Sequence, residues 1–138
     1  MHNSITRLRL RSIFTLAAFA QETRAIAAQT AAAPGFIEGA VLAEGRLVFW
    51  TRSVWESEAA MKAFRDSGPH RAAMPKLMAW CDEASVAHWQ GEAERDWSAI
   101  YARMAAEGRA SRVAHPSKAH QARRYAKMWR WSPEQRIA

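Results

Sequence analysis

Leu47-Val48-Phe49-Trp50-Thr51-Arg52-Ser53-Val54-Trp55, followed at once by Glu56-Ser57-Glu58-Ala59-Ala60-Met61-Lys62-Ala63-Phe64, holds the sharpest change of structural preference in the chain. The first nine residues are aromatic and β-branched, which favours a strand, and the next nine are rich in Ala, Met and Lys, which favours a helix capped by Ser57. Side chains alternate along a strand, so Leu47, Phe49 and Trp55 share one face while Val48, Trp50 and Val54 share the other. A strand wet on one side is polar at every second position. This one is apolar on both sides, and is therefore predicted to be central and covered twice.

Just upstream, residues 36–43 read as a second strand, and Glu44-Gly45-Arg46 is short enough to turn it directly into residues 47–55 as an antiparallel hairpin. Nearer the start, Ile5-Thr6-Arg7-Leu8-Arg9-Leu10-Arg11 alternates with period two, setting Thr6, Leu8 and Leu10 against Ile5, Arg7, Arg9 and Arg11. Three arginines on one face are most simply explained by an edge or solvent-facing strand. Residues 13–32 form an Ala-rich helix that Pro34-Gly35 stops. Downstream, the helix after Ser57 breaks at Asp66-Ser67-Gly68-Pro69, and Pro75 either kinks a continuation or starts a new helix. Met74, Leu77, Met78 and Cys81 make an apolar stripe at helical spacing, and residues 84–89, after Asp82-Glu83, are plausible as a fourth strand. The order is βαββαβ, the α+β ferredoxin-like arrangement of a four-stranded antiparallel sheet with helices on one face.

Beyond Gly91 the character changes, so the expected division is a ferredoxin-like domain over 1–92 and a basic helical extension over 93–138. Trp97, Ile100, Tyr101 and Met104 follow a possible Asp96 cap at helical spacing, Gly108 ends that helix, residues 109–116 read as a loop, and a last helix spans roughly 117–131. Residues 1–95 carry 11 Lys/Arg against 10 Asp/Glu, whereas 96–138 carry 9 against 3, so the excess positive charge belongs to the extension. Without a nucleic-acid motif or an aromatic platform flanked by basic residues, a solvated face is the simpler reading, and nucleic acid is not an expected partner.

A hydrophobic fraction of 49% and a charged fraction of 24% belong to a globular chain with a real core. The single cysteine, Cys81, excludes an internal disulfide, no Cys/His cluster offers a metal site, and a reducing cytoplasm suits the composition. Nothing approaches the roughly 18 unbroken apolar residues of a membrane span. Arg7, Arg9 and Arg11 before an apolar run imitate a signal peptide, but Glu22 and Arg24 lie just beyond that run, and no export is expected.

Ala33-Pro34-Gly35-Phe36 before a strand, Phe49-Trp50-Thr51, Val54-Trp55-Glu56-Ser57-Glu58-Ala59-Ala60-Met61, then Phe64 and Ser67-Gly68-Pro69-His70, resemble the antibiotic biosynthesis monooxygenase-like domain. Met-Pro-Lys-Leu at 74–77 and Trp-Cys-Asp-Glu at 80–83 resemble its uncharacterised bacterial branch. The resemblance covers about residues 4–90. It implies a homodimer built as an α/β barrel, with a ligand cavity between each sheet and its helices, and an oxidation of a small apolar or aromatic molecule without a bound organic cofactor. A non-catalytic dimeric module that binds a hydrophobic ligand or serves assembly is the alternative.

Trp55 matches the family's Trp-Glu-Ser pattern, and in some members a Trp helps to hold an aromatic substrate; a plain core role beside Phe64 is the competing reading. His70 matches the Ser-x-x-His element and could act as a base near neutral pH, or make a structural hydrogen bond in its turn. A haem role finds Met74 where a ligand histidine would be expected. Trp50, Phe64, His88 and Arg52 complete the candidate ligand-binding set. A buried Arg52 needs an anion, and a carboxylate such as Glu38 on the paired strand is preferred to a ligand.

Overall fold

In a computed structural model that describes residues 1–122 and 133–137, the chain forms an antiparallel sheet with helices on both faces. The first strand, β1 (His2–Leu10), leads through a short 3-10 turn into α1 (Leu16–Ala32). The hairpin comes next as β2 (Phe36–Glu44) and β3 (Val48–Trp55), with Val41 opposite Thr51. After it come α2 (Glu58–Arg65), capped by the Ser57 hydroxyl, which accepts from the Ala60 amide, then α3 (Gly68–Trp80) and β4 (Cys81–Gln90). The extension supplies α4 (Trp97–Glu107), β5 (Arg109–Ala110), α5 (Lys118–Gln121) and β6 (Gln135–Arg136). Sheet order is β5-β4-β1-β3-β2-β6, so the ferredoxin-like order 4-1-3-2 forms the centre, and short strands from the extension lie outside it.

The helices α1 and α3 lie on one face. Their core joins Leu10, Phe19, Ala73, Leu77, Cys81, Ala84 and Val113, with Leu8 and Phe49 packed against it. The opposite face carries Ile5, Leu42, Trp50 and Ala87, and α4 buries Trp97, Ile100 and Met104 against them. Asp96 caps α4 by accepting from the Ser98 amide, as its spacing predicts. Each large apolar side chain removed from water in this way contributes about 1.5–3 kcal/mol. The doubly apolar β3 is thus explained. Where the ferredoxin-like arrangement sets helices on one face only, this chain's own α4 covers the other, because the amphipathic helix at 97–107 presents its apolar stripe there.

Four further expectations change. The arginine-bearing β1 is not an edge strand but pairs with β3 and β4, and Arg7 is 1% exposed because Glu83 neutralises it at 3.5 Å. Asp82 and Glu83 are strand residues of β4 for the same reason: the buried guanidinium needs a carboxylate on its neighbour, where Arg9 pairs with Glu83. Pro75 lies inside α3, which begins at Gly68 with Pro69 in its first turn, and Cys81 starts β4 rather than continuing the helical stripe. Within 109–116, residues 109–110 pair with Ser85 and Val86 as β5. Of the helix expected at 117–131, α5 is described with its Ser117 cap, and residues from 123, Trp129 included, lie outside the described residues. Among the described residues, no helix is long and apolar enough to cross a membrane.

Candidate functional site

At the end of the sheet where β1 begins, the face shared with α1, α2 and α3 becomes aromatic and polar. The register sets Gln90, His2, Trp55 and Phe36 side by side across four strands, and places His88, Ser4 and Ser53 in the next row. Both rows lie on this face because side chains alternate and Leu8 and Phe49, two-residue steps away along β1 and β3, point into the α1–α3 core. Trp55 is fully buried, its indole N–H donating to the Ser53 hydroxyl at 2.9 Å. The ring of Phe64, from the last turn of α2, lies 5.0 Å from Trp55 and 5.1 Å from His70. Trp55, Phe64 and His70 therefore form one continuous series of rings, brought together because the Ser57-capped α2 crosses the end of β3.

The α2–α3 junction that carries His70 is tied down by Gln29 of α1, whose amide donates to the carbonyls of Phe64 and Ser67 and accepts from the His70 amide at 2.7 Å. The His70 Nδ1 lies 3.0 Å from the Arg65 carbonyl, so it carries the ring proton and leaves Nε2 as the basic nitrogen. Burial is the main cause that pushes the His70 pKa below its ordinary value, with the Arg65 carbonyl opposing it. The ring is neutral at pH 7 and competent to accept a proton.

A groove of about 560 Å³ runs between the C-terminal end of α1 and α2. Ala32, Ala33, Ala60, Ala63 and Phe64 make its wall mostly apolar, with Gln29 and Ser67 at one end and Glu56 beside Gly35. Gly35 lets the two elements approach: its φ is +85°, and a Cβ there would sit 2.6 Å from that of Ala60. Phe64 is the member of the ring series that reaches this groove. Trp55 is buried beneath it, and His70, partly exposed, meets its edge outside the groove lining.

His88 is half-buried on the same face, and its ring stacks on that of His2 with centroids 5.5 Å apart and planes at 17°. The Gln90 amide donates to His2 Nδ1 at 2.8 Å, which places that ring's proton on Nε2. His2 Nε2 and His88 Nδ1 are buried and have no hydrogen-bond partner among the described residues. Desolvation lowers both pKa values, and for His88 the neighbouring His2 adds to it. The pair offers two neutral imidazoles with unused polar capacity.

Trp50 and Arg52 do not join this constellation. The pleat sends them to the face under α4, where Trp50 is fully buried beneath Tyr101 at 6.3 Å. Arg52 is 3% exposed and pairs with Glu38 at 3.4 Å, the carboxylate expected for it, and with Glu134 at 3.2 Å. The expected set thus splits: Trp55, Phe64 and His70 meet, His88 neighbours them through His2, and Trp50 and Arg52 are separated from them by the sheet. Sequence reasoning missed His2 and Gln29. His2 sits one residue from the start of the chain, where period-two alternation has too few residues to register, and Gln29 is an ordinary polar residue on a helix whose role appears only once α2 and α3 are placed. Glu134 was equally invisible, since it reaches Arg52 from 82 residues away.

The thiol of Cys81, buried at the start of β4, is pushed up to about 12 by desolvation and is no nucleophile at neutral pH. Among the described residues, no group of three or more His, Cys, Asp or Glu is placed to hold a metal ion.

A family model described as antibiotic biosynthesis monooxygenase matches residues 5–76. Among solved structures, a cofactor-independent oxygenase from Streptomyces nogalater, SnoaB, superposes with a TM-score of 0.57 at 17% identity over 67% of this chain and 94% of its own. A Nitrosomonas europaea protein assigned to the antibiotic biosynthesis monooxygenases gives 0.61 at 17% identity over 67% of this chain and all of its own. A Mycobacterium tuberculosis protein gives 0.59 at 14% identity over 69% and 98%. At these identities the likeness is one of fold. No curated protein matches the chain.

Proposed function

The chain belongs to the antibiotic biosynthesis monooxygenase family, and on that premise we propose that it is a monooxygenase-like enzyme that oxidises a small apolar or aromatic molecule without a bound organic cofactor. The observation that carries this reading is the ring series Trp55–Phe64–His70 ending at an apolar groove. A flat aromatic substrate suits such a wall, with a few polar groups to orient it. Rotation of Phe64 opens the way to His70, whose Nε2 takes a proton from an activated methylene. The carbanion's electron pair then forms a C–O bond to molecular oxygen, and loss of water from the resulting hydroperoxide leaves a carbonyl, so one oxygen atom stays with the product and the other departs as water. His70 acts here as the general base. Trp55 and Phe64 position the ring.

The test is oxygen uptake with polycyclic phenols bearing an activated methylene, together with product mass, which gains one oxygen and loses two hydrogens. His70→Ala lowers kcat by about a hundredfold if the imidazole is the base, with little change in KM. Because the folded pKa of His70 is depressed, activity is full above the ordinary histidine range and falls as the pH drops through that lowered value. Wild-type protein that binds these compounds yet consumes no oxygen would overturn the enzyme reading. The complete burial of Trp55 and the position of His70 outside the groove lining favour a second reading, a module that binds a hydrophobic ligand in the groove without turning it over.

The homodimer implied by the family and a cytoplasmic location belong to the same proposal. With α4 seated on the second face, the surface offered to a second copy is sought around Ile13 and Phe14, which are 53% and 92% exposed. Sedimentation at micromolar concentration, with Phe14→Ser as the comparison, reads this directly.

A further inference from the structure

We propose that Arg52 and Trp97 form a carboxylate receptor which Glu134 fills as a tethered, exchangeable ligand, and that a small organic acid binds there when Glu134 withdraws. The proposal does not rest on the monooxygenase reading, because this site lies on the opposite face of the sheet. Arg52 Nη2 donates to Glu134 Oε1 at 3.2 Å and Nε to Oε2 at 3.4 Å, while the Trp97 indole N–H donates to Oε2 at 2.9 Å. A planar guanidinium side and an indole N–H, both on side chains withdrawn from water, converge on one carboxylate. Glu134 itself keeps 31% of its side chain exposed. The receptor is therefore built into the core, whereas its occupant stands at the mouth.

The second anion near Arg52 does not make Glu134 redundant. Glu38 reaches Arg52 through one contact at 3.4 Å, and it is also held by Arg95 from the other side. A cavity of about 330 Å³ adjoins these groups, lined by Glu38, Gly39, Arg52, Arg95 and Arg136. With Glu134 and its strap withdrawn, Arg52 and Arg95 face the single carboxylate of Glu38, an excess of positive charge that favours a small anionic guest. The strap bearing Glu134 is held lightly: β6 pairs two residues with Ala40 and Val41, and the Ile137 amide adds one bond to the Gly39 carbonyl at 3.0 Å. A few backbone bonds at a sheet edge open at modest free energy.

The experiment uses the full chain and benzoate as the probe. Glu134→Gln keeps the shape of the strap and removes the competing charge, so it should bind benzoate about tenfold tighter than the wild type, as expected when the competent fraction rises from about one tenth. Adding Arg52→Gln to that variant should abolish the gain. In the wild type, the Trp97 indole N–H resonance should move on titration with benzoate and stay fixed with chloride at equal ionic strength. Equal, weak binding by wild type and Glu134→Gln would overturn the proposal. Should the variant not fold, an unmoved Trp97 resonance in the wild type would overturn it alone.

Discussion

The two faces of the sheet solve the same burial problem with different parts. The α1–α3 face is built mainly from α1, α3 and the central strands, receives only Val113 from beyond β4 among the described residues, and ends in an aromatic, histidine-bearing patch beside a groove. The α4 face is completed by residues 97–107, beyond the family match at 5–76, and it carries two buried arginines, Arg7 and Arg52, each answered by carboxylates. A β-strand apolar on both sides demands cover twice, but it does not say whether the second cover comes from another chain or from its own. Here the extension provides it.

The largest test of this comparison removes residues 97–137. If both faces belong to one cooperative unit, the remaining chain should lose its sharp urea transition, because Ile5, Leu42, Trp50 and Ala87 return to water. A truncated chain that keeps the wild-type midpoint would show that the α1–α3 face suffices alone. A smaller effect is expected from Glu83→Gln, which leaves Arg7 buried with its carboxylate gone and should cost about 3–5 kcal/mol in urea unfolding.

The smallest effect separates the faces by pH. Burial holds the pKa values of His2, His70 and His88 below 6.5, so the unfolded chain takes up protons first as the pH falls. Their contribution is complete above the unfolded value and is lost as the pH drops through the folded values. On the α4 face Glu44 has the opposite sign. Burial raises it above 4.5, with the Arg7 charge and the Trp50 indole N–H opposing, so its contribution is complete below the unfolded value and is lost as the pH rises through the raised one. The protection of backbone amides, measured relative to their intrinsic exchange at each pH, should therefore fall at Ser4, Ser53 and His88 on acidification from about pH 7 to about pH 5.5, while Ile100 and Met104 keep theirs. An equal fall on both sides would break the distinction.

Most of the βαββαβ order was legible in the sequence because periodicity and turn residues act locally: Ser57 and Asp96 cap the helices expected of them, and Gly108 ends α4. The position of β1 was not legible. Arginine on a strand reads as an edge signal until Glu83, 76 residues away, is known to reach Arg7 from the neighbouring strand. The site was half legible for the same reason. Trp55, Phe64 and His70 sit within one stretch whose local structure brings them together, whereas alternation placed Trp50 and Arg52 on the far face, and His2 found His88 only through pairing across β1 and β4.

The two-residue strands β5 and β6 have a consequence for how the protein behaves when crowded. Each lies near the middle of an outer strand, β5 against Ser85 and Val86 of β4, β6 against Ala40 and Val41 of β2. The Ser111 amide bonds the Ala84 carbonyl and the Ile137 amide that of Gly39, lengthening each clasp by one bond. What remains of either border is divided into runs of a few residues, shorter than the strands that template aggregation. A neighbouring unfolded chain meets no long row of vacant amides and carbonyls, so the extension acts as a guard against amyloid-like stacking at both ends of the sheet.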